Sequence, residues 1–451
     1  MSYPEWTKKL RQTGTSVVFK QGKYYLYEYS TVWCPKKKRA KKVTGAYLGR
    51  LDETLGLIPK GTVKRGRQPK PKDPLPSCFE DMESITDHRK DKGKLYSVSE
   101  LFLCALLATL CGADGWQDIE NYAKSNLSLL RSFLPFLHGA PSDDTFRRFF
   151  SILDPKAMKD IFQKWVRAVA VMIDAQVIAI DGKCARGSHD GDDVKMLHQV
   201  HAYNAGSKLV IGQQKVTEKS NEITAIPKLL DMIDIKNQIV TIDAMGCQFE
   251  IANLIKSKDG DYIFFLKGNQ GNLNDDVRLY FEKSPESEQW EDYKDADKDH
   301  GRIEERRIRV TTNVAWLHEL HPHWKTIQSL IRIESITEKN EKKSSETRYY
   351  ISSLQKKADK LLEAVRSHWA VEAFHWVLDM SFDEDYLRTR KGNAAEVMSI
   401  LRHLAYNMLQ TYVKSLGPTT RMSIKGARKA CGWNQDTLKN VISKGGLLNL
   451  S

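Results

Sequence analysis

The sequence lacks any apolar run of the ~18–20 residues that span a bilayer, which excludes an ordinary transmembrane helix. Its longest apolar stretch, residues 101–110, is long enough only for a buried helix. Residues 1–10 carry two lysines and no apolar centre, so we expect no secretory signal. These absences predict a cytoplasmic protein with no membrane partner.

Cysteine is also scarce, with seven among 451 residues, an odd number and no CxxC pair. This usage excludes a disulfide framework or a zinc ribbon and indicates a reducing compartment. The chain has 41% hydrophobic and 28% charged residues, a balance typical of globular proteins rather than of disordered ones. Its length predicts two to four domains.

The positive charge is concentrated at one end. The formal net charge is +13, and residues 1–75 contain 18 Lys and Arg against 5 Asp and Glu, while the remainder is neutral. Such a block predicts a polyanion partner, most simply nucleic acid, bound through phosphate contacts and counterion release. The alternative is a solvated basic tail. The densest basic cluster lies between two strand-like segments, as in a charged hairpin, and comprises Lys36, Lys37, Lys38, Arg39, Lys41 and Lys42.

Hydrophobic periodicity and turn residues divide the chain into successive regions. A helical region precedes compact apolar strands at 176–180 and 238–242, which indicate an α/β core with a mixed sheet. The helical region could hold a helix-turn-helix or be a plain bundle. One long helix is predicted over 361–380. The predicted regions are 1–75 (basic, β-containing, with a linker), 76–174 (helical, DNA-binding or associated), 175–269 (core, first part), 270–355 (β-rich insertion), 356–415 (core, second part) and 416–451 (helical tail).

Two aspartates directly follow the compact strands. Asp181 and Asp243 are each expected at a strand end, where sites of α/β sheets form. Carboxylates on neighbouring strands can hold hard divalent cations. The simpler interpretation is that each aspartate caps the turn after its strand.

The helix near residue 370 carries a polar stripe. His368, Glu372, His375 and Asp379 fall within roughly 60° of one another around the axis, and the other faces are apolar. The helix is therefore expected to be buried, with its charged groups paired or bound to metal. An internal salt-bridge network and a His/Glu/His zinc site are the alternatives.

Together, Asp181, Asp243 and Glu372 form an oxygen-rich set suited to Mg²⁺ or Mn²⁺. With a polyanion partner, two such ions predict metal-assisted phosphoryl transfer. Lys183, Lys267 and Arg302 are candidate phosphate contacts. Trp316 and Trp324 could stack on an unpaired base, but packing in a core or an interface is the favoured interpretation for each.

Short sequence patterns at these residues resemble a known family. They include APSDDTF at 140–146, IDGK at 180–183, KSNEI at 219–223, DAM at 243–245, KGNQ at 267–270, HGRIE at 300–304, RSHWAVE at 366–372 and HWVLD at 375–379. Over residues 78–445 the chain resembles the H-repeat-associated DDE transposases of bacterial insertion sequences, related to the insertion-sequence-4 group.

The resemblance implies an RNase H-like mixed-sheet core interrupted by a β-rich insertion. It implies Asp181, Asp243 and Glu372 as the catalytic and metal-binding triad, with His368, His375 and Asp379 in support. The implied activity is Mg²⁺- or Mn²⁺-dependent cleavage of double-stranded DNA at transposon ends and strand transfer into target DNA. The protein would act as a homodimer or larger assembly on the bacterial nucleoid. Two alternatives are a domesticated, non-catalytic DNA-binding protein and an RNase H-like nuclease that cuts DNA by structure.

Overall fold

A computed structural model describes most of the chain in two compact units, Met1–Asp73 with Asn126–Ala140 and Pro74–Ser125 with Pro141–Ser451. The described residues are 4–11, 13–20, 23–34, 39–53, 56–59, 82, 85–89, 94–169, 177–189, 196–217, 221–284, 288–299, 302–339 and 342–447. The predicted helical region 76–174 is therefore divided, because its residues 126–140 cluster with the N-terminal unit. None of the described helices is long and apolar enough to cross a membrane.

The first unit is built on a four-stranded antiparallel sheet. Its strands follow chain order, with Leu26 and Leu51 buried, and Arg50 donates hydrogen bonds to the carbonyls of Leu137 and His138. The predicted charged hairpin is formed by β2 and β3, which pair as far as Cys34 and Arg39. The elements are α1 (Glu5–Lys9), β1 (Thr15–Lys20), β2 (Lys23–Cys34), β3 (Arg39–Asp52), β4 (Gly56–Pro59) and α4 (Leu127–Phe133).

Four helices open the second unit. The first of them, α2, is buried along its whole length, and its start is fixed by a reciprocal cap in which Ser97 and Glu100 each accept a backbone N–H from the other. At the start of α5, the Ser142 side-chain oxygen accepts a hydrogen bond from the backbone N–H of Thr145. These helices are α2 (Val98–Leu110), α3 (Trp116–Ser125), α5 (Asp143–Ile152) and α6 (Pro155–Val169).

The core of the second unit is a mixed sheet. Counted from one edge of the sheet, its first five strands lie in the order β7-β6-β5-β8-β9, with β5 antiparallel to β6 and parallel to β8. In chain order this is 3-2-1-4-5 with an antiparallel second strand, so the predicted RNase H-like fold is confirmed. The elements are β5 (Val177–Ala185), β6 (Leu197–Asn204), β7 (Leu209–Lys215), α7 (Glu222–Met232), β8 (Ile239–Ile242), α8 (Phe249–Ser257) and β9 (Asp261–Leu266).

The predicted β-rich insertion extends this same sheet, because its last strand pairs with β9 through Ile351 and Phe264. Residues 282–309 are rich in charged residues and were not predicted to contain a strand before residue 300, but β10 lies within them. Cross-strand ion pairs such as Asp292–Arg309 at 2.8 Å replace the apolar alternation that would have revealed it. The elements are α9 (Asn272–Lys283), β10 (Glu291–Asp299), β11 (Arg302–Thr311), α10 (Ala315–Leu320), β12 (Ser329–Lys339) and β13 (Lys342–Ser352).

Helices complete the unit and correct one prediction. The expected continuous helix over 361–380 is two helices that meet at His368. The longest helix, α13, is buried over most of its length, and the Asn407 side chain bonds both backbone groups of Val210 on the edge strand β7. The elements are α11 (Ala358–Ser367), α12 (Trp369–Phe382), α13 (Ala394–Ser415), α14 (Ile424–Trp433) and α15 (Gln435–Ile442).

Candidate active site

Asp181 and Asp243 are brought together by the parallel pairing of β5 and β8. The last paired residues are Ile180 and Ile242, so the two aspartates are the next residues on adjacent strands. The prediction of neighbouring strands is confirmed, but Asp181 does not end its strand. β5 continues to Ala185 along β6, because that neighbour is longer than β8. Asp181 is therefore held in a continuous strand, opposite His201.

The surroundings of Asp181 disfavour its charge. Burial, followed by the charges of Asp243, Glu222 and Glu372, raises the pKa of Asp181 to about 7. Burial and Glu222 also raise the pKa of Asp243, although the N–H groups of its own turn and nearby Lys267 oppose the shift. Asp243 thus does cap its turn, as the simpler interpretation had it, while it shares an acidic site with Asp181. Several carboxylates lie close enough to influence one another's protonation.

Glu222 is the acidic residue of this site that sequence reasoning missed. It is the first residue of α7. Its Oε1 accepts a hydrogen bond from His198 Nε2 at 2.8 Å. A Cβ at position 182 would collide with this carboxylate, so only glycine lets Glu222 approach β5 so closely. The available signal was the KSNEI pattern at 219–223, whose glutamate begins a helix.

Helix α12 places an imidazole against Asp181. His375 Nδ1 lies 3.5 Å from Asp181 Oδ2, and His375 Nε2 lies 2.9 Å from His201 Nδ1. Burial lowers the pKa of His375 to about 3, so the ring is neutral. The tautomer that satisfies both contacts has His201 donating to His375 and His375 Nδ1–H directed at the carboxylate. His368, at the junction of α11 and α12, lies 3.0 Å from Thr241 Oγ1 on β8, and burial lowers its pKa to about 4.

Lys183 and Asp379 pair with each other. Lys183 Nζ lies 2.6 Å from Asp379 Oδ1 and 3.4 Å from Asp385 Oδ1, and its side chain is 8% exposed. Burial opposes the charge of Lys183, but the hydrogen bond to Asp379 and nearby carboxylates raise the pKa of Lys183 overall. The expectation of a phosphate contact at Lys183 is therefore corrected, because its ammonium group is buried and holds α12 against β5. The internal salt-bridge alternative accounts for this part of the stripe.

Replacing Lys183 with methionine tests this structural role. We expect Lys183→Met to reduce the free energy of unfolding by about 3 kcal/mol, because it leaves Asp379 without its cation and Asp385 with Arg186 alone. The salt dependence of DNA binding should stay unchanged, whereas loss of a phosphate contact would make its slope shallower by about 1. Chemical denaturation and binding titrations measure the two effects. Lys356→Met, at an exposed position, is the matched control.

Glu372 lies in the first turn of α12 and is exposed. The charges of Glu372 and Asp243 both contribute to the raised pKa of Asp181, so all three members of the predicted triad lie near one another. Over the described part of the chain, no three His, Cys, Asp or Glu side chains lie close enough together to hold a metal ion. The donor set nevertheless fits a hard divalent cation, since every candidate ligand is a carboxylate and their mutual repulsion would be relieved by positive charge.

The other residues predicted to bind DNA are only partly covered by the described residues. Lys267 is exposed just after β9, with Nζ 4.7 Å from the centroid of the Phe265 ring. Lys41 is exposed on β3. The side chains of Arg39, Lys42 and Arg302 and the whole of Lys36, Lys37 and Lys38 lie outside the described residues.

The sheet order and the two aspartates beside α12 define an RNase H-like protein with an acidic site. Residues 167–408 match the family described as Transposase DDE domain, and residues 79–166 match the family described as DDE_Tnp_1-associated. The chain belongs to the DDE transposase family. Members of this family generally use divalent metal ions.

Curated relatives agree with this membership. The chain is 36% identical over 389 residues to "Putative transposase YncI" of Escherichia coli O157:H7, covering 81% of this chain and 99% of that protein. It is 40% identical over 346 residues to "H repeat-associated putative transposase YhhI" of Escherichia coli strain K12, covering 74% of this chain and 90% of that one. A chain of the piggyBac transposase synaptic complex with hairpin DNA aligns at a TM-score of 0.40 and 11% identity, over 82% of this chain and 78% of that chain.

Proposed function

We propose that this DDE transposase cleaves DNA at transposon ends and joins the freed 3′ ends to target DNA, with Asp181, Asp243 and Glu372 as its catalytic carboxylates. The observation that carries the proposal is the adjacency of Asp181 and Asp243 on parallel strands, within the electrostatic reach of Glu372. Partly buried carboxylates, one of which has its pKa raised by the charges of the others, are costly for a protein that only binds DNA. The clustered carboxylates are explained if they bind cations next to the phosphates of DNA.

These three carboxylates would hold Mg²⁺ or Mn²⁺, two ions in the complete site. The bound ions would supply Lewis-acid chemistry, activating a water or 3′-hydroxyl and stabilising the leaving oxygen. The chain's own contribution is alignment. His375 restrains the Asp181 carboxylate, and the Lys183–Asp379 pair fixes α12, which carries Glu372. His368 anchors the start of that helix to β8.

The basic residues of the first unit would dock double-stranded DNA, both transposon ends and target, and exposed Lys267 would contact phosphate near the carboxylates. Bringing two ends together calls for at least a homodimer. We place this activity on the nucleoid in the bacterial cytoplasm.

Cleavage of DNA carrying the ends that flank the gene tests the proposal. We expect Mg²⁺-dependent nicks that leave 3′-hydroxyls, followed by joining to a second duplex. Glu372→Gln should lose at least about 100-fold in rate while binding DNA normally, because it removes charge from the metal-binding set. Glu363→Gln is the matched control, because Glu363 is exposed on α11 and its carboxylate accepts a hydrogen bond from Lys360, away from the acidic site.

Full activity in Glu372→Gln would reject the assigned triad. Cutting without joining, and without preference for the ends, would favour the structure-specific nuclease. Tight binding with no cleavage by the unmodified chain would favour a domesticated DNA-binding protein.

A further inference from the structure

Helix α12 exposes an aromatic stripe beside Glu372. Trp369, Trp376 and Met380 are 50%, 63% and 48% exposed, contrary to the expectation of a buried helix. They project within about 40° of one another around the axis, and Glu372 lies about 40° from Trp376. Glu372 therefore marks the boundary between the inward polar stripe and this outward aromatic stripe. A ligand of this carboxylate therefore approaches beside the helix face that carries the two indole rings.

Cationic and aromatic side chains from the sheet continue the stripe toward Asp243. The Arg348 guanidinium lies 5.2 Å from the Trp369 ring centroid and 5.6 Å from that of Phe265. Lys267 Nζ lies 4.7 Å from the centroid of the same Phe265 ring, and the charge of Lys267 acts to lower the pKa of Asp243. Arg348 is itself hydrogen-bonded to Glu346, whereas Lys267 is the cation of this group whose charge acts on Asp243. Flat rings and cations alternate along one surface.

The two tryptophans that the sequence offered as candidates for base stacking, with packing as the favoured interpretation, are engaged in packing. Trp324 is 6% exposed and packs against Phe249, and the Trp316 ring stacks on Tyr280 with centroids 4.7 Å apart. Packing, the interpretation favoured for Trp316 and Trp324, is therefore confirmed, and base stacking by these two residues is not supported. Exposed indoles beside the carboxylates occur instead on α12.

We propose that the α12 stripe, Trp369, Trp376 and Met380 with flanking Arg348 and Lys267, binds unpaired bases of the DNA strand that is processed at the acidic site. Exposed aromatic rings interleaved with cations suit single-stranded nucleic acid, because every base has a face that can stack and every nucleotide a phosphate. The stripe is continuous with Glu372, which argues for the substrate strand rather than a second protein chain. This inference rests on the proposed function for its choice of DNA.

Binding measured without metal separates this inference from catalysis. The probe is a duplex with an unpaired 3′ tail of about ten nucleotides, within the range of a single-strand site, compared with the same duplex fully paired. In EDTA, we expect Trp369→Ala and Trp376→Ala each to weaken binding of the tailed duplex by about 5- to 100-fold, and binding of the paired duplex little. Trp376→Phe should retain most of the affinity. Leu320→Ala, at a residue also 63% exposed, is the matched control.

Three results would overturn the inference. Equal weakening for both duplexes would assign the rings to ordinary duplex contact, and unchanged binding would remove them from the DNA surface. A fall in molar mass by light scattering in the tryptophan variants would identify the stripe as a contact between copies of the chain. Selective loss of binding to the tailed duplex would support the base-binding inference even if the unmodified chain does not cleave DNA. Failure of the proposed catalysis can therefore be told apart from failure of this inference.

Discussion

Asp181→Asn is expected to abolish cleavage and at the same time stabilise the metal-free protein. The rate should fall by at least about 10³-fold, because Asp181 lies among the other carboxylates and its charge is needed to hold a cation. The same charge is unfavourable without the cation, since Asp181 is partly buried and lies near the charges of Asp243, Glu222 and Glu372. Asparagine keeps the shape of the side chain and removes the repulsion.

The pH dependence of the stabilisation follows from the raised pKa of Asp181. A carboxyl whose pKa is about 7 when folded and about 4 when unfolded takes up a proton on folding between those values. The native chain should therefore lose stability as pH rises from about 4 to about 7, by up to about 4 kcal/mol. The advantage of Asp181→Asn should be absent below about pH 4 and complete above about pH 7.

Thermal unfolding in EDTA across this pH range measures the effect, and Mg²⁺ titration gives a second readout. Mg²⁺ should raise the unfolding temperature of the native chain more than that of Asp181→Asn. Asp231→Asn, at a 65% exposed side chain on α7, removes only a surface ion pair with Lys258 worth at most about 1 kcal/mol and should leave the shape of both stability profiles unchanged. A variant that is inactive and also less stable at pH 8 would mean that Asp181 is chiefly structural.

The sequence predicted the parts of this site that depend on buried strands. Ile239–Ile242 is buried along its whole length and three of its four residues are apolar, so this strand and the aspartate that follows it could be recognised. Adjacency of Asp181 and Asp243 then followed from parallel pairing. The RNase H-like order also required the family resemblance, because apolar runs alone do not specify which strands are neighbours.

Other features depend on tertiary contacts that local patterns do not encode. β10 is held by cross-strand ion pairs, so its composition resembles a charged loop. The break at His368 involves no proline or glycine, and its side chain is held by Thr241 from a distant strand. Lys183 resembles a surface cation in sequence, yet Asp379, nearly two hundred residues later, pairs with it. Such pairings become visible only when the chain is folded.

Neutralising the charged hairpin should weaken duplex binding more than any other change to the surface. The variant replaces Lys36, Lys37, Lys38, Arg39, Lys41 and Lys42 with glutamine. Affinity for duplex DNA should fall by roughly 10³-fold at about 50 mM salt, and the slope of log K against log salt should become shallower by up to about 5. The reason is loss of counterion release at phosphates. Fluorescence anisotropy over a salt series measures both quantities.

The shape of the hairpin strengthens this expectation, because a two-stranded ribbon such as β2 and β3 fits the major groove of DNA. The control replaces six exposed lysines of the neutral second unit, namely Lys156, Lys325, Lys342, Lys343, Lys356 and Lys357. Both variants lose the same formal charge, so a purely global effect of net charge would weaken them equally. Equal weakening would show that the basic segment is only a solvated tail. A large loss confined to the hairpin variant, with unfolding unchanged, would assign DNA docking to the first unit.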